Sequence, residues 1–220
     1  KWEMFVMTIE QKKVFTAFRL ATGKSYDPTS KLDQKIVQRY MFILQLIGVP
    51  VTDCTFSRYK DSIFSAELEK ELTMPALTFQ GFEGSDKEII FSESDMNMIS
   101  QVRKYVEARP GNVSMGSFLD MLSVVLYIQT YEPELAKDRE KLTQLAQEYS
   151  GIKDRFTVDL ILRTMGLLED ALTTQKIKKA IDWLDSLHVD NKHTYDAHTL
   201  RAAACYVLNC RYRDIEKFDI

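Results

Sequence analysis

Three observations predict a mainly α protein carrying one small β-hairpin. Glycine and proline are sparse, 8 and 5 in 220 residues, which favours helices over a turn-rich β-sandwich. Apolar residues recur at helical spacing along most of the chain. The stretch 115–131 is apolar nearly all round, with Phe118, Leu119, Met121, Leu122, Val124, Val125, Leu126 and Ile128 leaving almost no polar face. Such a helix is buried on most sides. Ser117, Asp120, Ser123 and Gln129 interrupt it, and it is too short to cross a bilayer. It is read as the core helix on which the others pack.

The first helix is expected over 8–22. Thr8 is its N-cap, and Gln11 stands three residues on, as a capping box requires. Val14, Phe15, Phe18 and Leu20 form its apolar face, and Gly23 ends it. Pro28 breaks the loop that follows. A second helix over 31–47 places Leu32, Ile36, Val37, Tyr40, Met41, Ile43, Leu44 and Ile47 on one face, before Gly48 and Pro50. Residues 51–60 lean towards irregular β structure. A third helix is expected over 62–73, capped by Ser62, with Phe64, Leu68 and Leu72 in line. Two β-type runs between Leu77 and Phe91 flank Gly81 and Gly84 and read as a hairpin.

Ser92 to Asp95 offers caps for a helix carrying Met98, Ile99, Val102, Tyr105 and Val106, and Arg109-Pro-Gly-Asn112 is the clearest break in the chain. After the core helix, further helices are expected over 134–149, 154–172 and 175–187, with a last one following Asp196. This gives two regions: a winged helix-turn-helix-like domain over 1–110, and a C-terminal helical bundle over 111–220, packed around helix 115–131.

The residues also carry a resemblance. Lys31-Leu-Asp-Gln-Lys-Ile-Val-Gln-Arg-Tyr-Met-Phe-Ile-Leu44 resembles the second helix of YwgA-like proteins and the related Panacea (SocA-like, antitoxin-associated) domains. Phe56-Ser-Arg-Tyr59 followed by Ser65-Ala-Glu-Leu68 is similar to that family's "F-x-x-Y-G-P-Y-S-x-x-L" segment, and Leu122-Ser-Val-Val-Leu-Tyr-Ile128 to a later helix. Asp61-Ser62-Ile63-Phe64 departs from the family's tight Gly-Pro-Tyr turn. The resemblance covers roughly residues 10–172. It implies a winged-helix core with a helical extension, and roles in regulation, toxin neutralisation or phage–host conflict. It supplies no catalytic residues.

Charge tests the DNA-binding reading that a winged helix invites. The chain has a net charge of −3, with no whole-molecule field to draw in nucleic acid or an anionic membrane. The expected recognition helix carries Glu67, Glu69 and Glu71 against Lys70, and the expected wing carries Glu83, Asp86 and Glu88 against Lys87. Residues 61–100 hold nine acids and two bases, a net −7 that phosphates would repel. Residues 11–40 hold Lys12, Lys13, Arg19, Lys24, Lys31, Lys35 and Arg39 against Asp27 and Asp33, a net +5. The bland account of Lys35 and Arg39 is a solvated helix face. The sharper one is a basic face for an acidic protein, a nucleic-acid backbone or a second copy of the chain.

Candidate chemistry is thin. His188, His193 and His198 lie near Asp190 and Asp196, with Cys205 and Cys210 beyond, but their spacing puts no two histidines on one helical face and forms no zinc motif. Gly81-Phe-Glu-Gly84 lacks the Lys-Ser/Thr ending of a phosphate loop. Asp120 is either a buried acid with work to do or, more simply, the partner of a backbone group or an arginine. Lys176, Lys178, Lys179, Arg211 and Arg213 form a second basic set. Three unpaired cysteines and no secretory signal point to a reducing, cytoplasmic setting.

The expectation is therefore a non-enzymatic interaction protein of a bacterial or phage system, with no cofactor and no metal. Glu67, Glu69, Glu71, Glu83 and Asp86 form its acidic contact surface, and Lys12, Lys13, Lys31, Lys35 and Arg39 its basic one. The alternative is a DNA-binding transcriptional regulator using the winged helix, in which Lys31, Lys35, Arg39 and the C-terminal basic residues meet phosphates.

Overall fold

The computed structural model describes residues 8–59, 62–72, 91–155, 158–159 and 162. Its order is α1 (Ile9–Thr22), α2 (Lys31–Leu46), β1 (Ser57–Tyr59), β2 (Ser62–Phe64), α3 (Ala66–Leu72), α4 (Glu93–Glu107), α5 (Met115–Tyr131), α6 (Pro133–Ala136) and α7 (Arg139–Ser150). The fold is mainly helical with one small antiparallel hairpin. Among the described residues, no helix is long and apolar enough to cross a membrane.

The helices start where short polar side chains can take up orphan backbone N–H groups. Thr8 Oγ1 accepts from Gln11 N at 3.1 Å, and Gln11 Oε1 accepts from Thr8 N at 3.0 Å, closing the expected capping box. Ser30, Ser92, Ser114 and Asp138 cap α2, α4, α5 and α7 by the first of these bonds alone, each side chain accepting from the backbone N–H three residues on. Gly23 ends α1 at φ 75°, a backbone conformation that costs a side-chain-bearing residue energy.

Two expectations need correction. The third helix does not begin at Ser62. Residues 62–64 form β2, pairing Ser57 with Phe64, Arg58 with Ile63 and Tyr59 with Ser62. Ile63 is fully buried, and β2 packs on α2 and α5. The β-branched residue and the aromatic gain more from that burial than from a helical turn. Ser65 then starts α3, its Oγ accepting from Leu68 N at 3.3 Å. The helix expected over 134–149 is two helices. Pro133 opens the short α6, and the Asp138 side chain accepts from Lys141 N at 3.0 Å, competing with helix continuation.

The hairpin expected over 77–91 falls outside the described residues apart from Phe91. So do the helix segments beyond residue 162, the three histidines, Cys205, Cys210 and the second basic set. The hairpin that is described precedes α3.

The expected core helix is α5. Phe118, Leu119, Met121, Leu122, Val124, Val125 and Ile128 are all buried, and the hydroxyl of buried Ser123 donates to Asp120 O at 3.1 Å. It packs against α2, β2, α4, α6 and α7. Leu32 lies against Gly116, Arg39 against Asp120 and Phe42 against Tyr127, so α2 and α5 run side by side in the same direction. The chain divides into two compact units, 1–165 and 166–220, and every element named above belongs to the first.

Candidate functional site

One side of α2 packs on α5. Another opens onto a groove of about 300 Å³, bounded across from it by β2 and α3. Lys31, Gln34, Lys35, Gln38 and Arg39 line the α2 wall. Their spacing of three and four residues keeps them along one side of the helix. Ser62, Phe64, Glu69 and Leu72 complete the lining. The groove therefore brings together three of the expected basic residues and one of the expected acidic ones.

Local bonding divides these residues into fixed and free. Gln38 is buried and clamps the start of α3: its Nε2 donates to Ser65 O at 3.1 Å, and its Oε1 accepts from Ser65 N at 3.1 Å. Both polar ends of the amide are satisfied, so the clamp fixes the distance between α2 and the β2–α3 junction. Gln34 Nε2 donates to Pro28 O at 2.6 Å.

Arg39 is only 7% exposed, so the solvated-face account fails for it. Its Nε donates to Asp120 Oδ1 at 2.6 Å, and its Nη1 donates to Lys35 O at 3.0 Å. Asp120 thus has the arginine partner of the simpler reading. The ammonium groups of Lys31 and Lys35 are exposed and have no hydrogen-bond or ion-pair partner among the described residues.

The remaining site candidates lie elsewhere or are engaged. Lys12 and Lys13 are half-buried on α1 and do not line the groove. Lys24, exposed, reaches buried Asp33 at 2.5 Å. On α3, Glu69 is exposed on the groove wall, while Glu67 turns away and accepts from Thr55 N at 2.8 Å. Glu71 is half-buried, and its carbonyl accepts from Gln11 Nε2 at 3.0 Å. Glu83 and Asp86 lie outside the described residues.

A second hollow, between α1 and α3, holds about 10 Å³, room for one water. Cys54 lines it. Burial pushes the Cys54 thiol up, which keeps it protonated and a poor nucleophile. Burial, with Asp33 and Asp27 nearby, pushes the Tyr26 hydroxyl up to about 12. Among the described residues, no three His, Cys, Asp or Glu side chains converge as metal ligands would.

Sequence reasoning missed the groove's uncharged lining. Phe64 and Leu72 read as core-facing residues of a helix that starts too early. Gln34 and Gln38, one turn apart beside the lysines, were a visible uncharged polar pair on the charged side of an amphipathic helix. Compared with known proteins, the chain matches no family model, no curated protein and no solved structure.

Proposed function

We propose that this chain is a non-enzymatic protein-interaction module that binds a partner protein through the groove between α2 and α3. The observation that carries the reading is the pairing of unlike charges on facing walls: Lys31 and Lys35 on one, Glu69 on the other, with Phe64 and Leu72 also in the lining. Mixed charge around apolar surface suits a protein, which presents both signs. It suits a duplex poorly, because every phosphate drawn to the lysines also meets Glu69, and Arg39 is already committed to Asp120.

The resemblance to YwgA-like and Panacea domains supports a bacterial or phage regulatory, antitoxin or anti-defence setting in the cytoplasm. A winged-helix-like region over 1–110 and a helical bundle over 111–220 belong to the same proposal.

The test is photo-crosslinking in the native cells, with p-benzoylphenylalanine replacing Phe64 in the groove or, as control, exposed Met96 on α4. A discrete protein adduct from position 64 and none from 96 is the expected result. Nucleic acid captured at 64, or random duplex DNA bound in a salt-sensitive way by the purified chain, would turn the reading into that of a DNA-binding regulator.

A further inference from the structure

Resting on that reading, we propose the chemistry of the occupant: a peptide segment of the partner that carries two carboxylates, an apolar side chain and a basic residue. The groove's own groups dictate this set. Of its polar lining, Gln34 and Gln38 are bonded to Pro28 and Ser65, and Arg39 to Asp120. That leaves two ammonium groups and one carboxylate as the charges open to a ligand.

Lys31 and Lys35 stand one helical turn apart, about 6 Å along the axis. Two carboxylates on alternate residues of an extended peptide are about 6–7 Å apart, as are those at i and i+4 of a helix. Either places one acid on each lysine, and a single acid would leave one lysine unmatched.

Phe64, half-buried on β2, and Leu72, nearly fully buried on α3, add apolar surface to the wall that carries Glu69, where one aliphatic or aromatic side chain can pack. Glu69 then sets polarity. It rewards a lysine or arginine that faces its wall and repels a uniformly anionic ligand, so the site separates an acidic peptide from a phosphate polymer. The volume, about 300 Å³, is at the small end of ligand sites and fits a few side chains rather than a domain. The Gln38–Ser65 clamp and the Arg39–Asp120 pair hold both walls in place, so little ordering opposes binding.

The test selects random twelve-residue displayed peptides on the full chain, then measures the winners by fluorescence anisotropy. Enriched peptides should carry the acidic pair, the apolar residue and the basic residue. Lys31→Glu with Lys35→Glu should weaken them at least tenfold, and peptides with a lysine pair in place of the acids should recover binding to that variant. Recovery separates lost charge from lost folding. Glu69→Lys should favour peptides lacking the basic residue.

Winners without carboxylates, equal binding to the double variant, or no enrichment would overturn the proposal. So would self-association of the purified chain that the double variant abolishes, because the occupant would then be a second copy. A protein adduct at position 64 beside any of these outcomes discards the peptide chemistry alone; absence of the adduct discards the partner-binding reading itself.

Discussion

Lys31, Lys35 and Arg39 are three cations on one stripe of α2, four residues apart, yet the two ends of the stripe have opposite fates. The lysines sit in solvent on the groove wall without a described partner. Arg39 is buried, ion-paired at 2.6 Å and bonded back to the carbonyl of Lys35. The neighbouring helix makes the difference. Alongside residue 39, α5 presents Asp120, and a planar guanidinium can serve that carboxylate and a carbonyl together. A positive stripe therefore mixes cations that hold the fold with cations available to a ligand. Only the facing element separates them.

Removing the acid that holds Arg39 breaks this contrast most severely. Asp120→Ala would strand a guanidinium whose side chain is 8% exposed. Breaking a buried pair from one side costs about 3–5 kcal/mol, because the remaining charge has no compensation, and the 27% exposure of the Asp120 side chain puts this pair at the lower end. Urea denaturation should show that loss. Replacing both partners, Arg39→Met with Asp120→Leu, should restore most of it. A loss below about 1 kcal/mol for Asp120→Ala would mean that Arg39 finds water instead, making the two ends of the stripe alike.

Gln38 lies between the two ends and supports the groove without charge. In Gln38→Ala, the N–H of buried Ser65 loses its partner, while its carbonyl keeps the bond from Glu69 N at 3.0 Å. An unsatisfied buried N–H costs about 1–3 kcal/mol, so the expected loss is about 2 kcal/mol. The same change frees the β2–α3 junction to move, so affinity for a groove ligand should fall with stability. Unchanged affinity in a destabilised Gln38→Ala variant would show that the clamp stabilises the fold without shaping the groove.

What was legible in the sequence was local. Thr8 with Gln11, Ser92 and the run from Phe118 to Ile128 announce their helices because caps and apolar spacing act within a few residues. The start of α3 was hidden because Phe64, Leu68 and Leu72 keep helical spacing, although Phe64 belongs to a strand. The lysines of the groove could be listed from charge alone. Their separation from Arg39 could not, since Asp120 is 81 residues away from it, nor could the clamp, since Ser65 is 27 residues from Gln38. Such partners are chosen by packing, which no short window of sequence contains.

The smallest expected effect sharpens the comparison from the solvent end. Lys31 is the first residue of α2, immediately after the Ser30 cap. A cation there opposes the partial positive charge of the helix N-terminus. Lys31→Glu should therefore stabilise the protein, by about 0.5 kcal/mol at low ionic strength, and the gain should shrink as salt screens it. Thermal unfolding at two salt concentrations reads this directly. In the same variant, binding of an acidic groove peptide should weaken, so stability and affinity move in opposite directions at one residue. Arg39 has no such split, because there the charge serves the fold. If Lys31→Glu instead destabilised the chain, Lys31 would have a structural partner, and the groove would keep only Lys35 as a free cation.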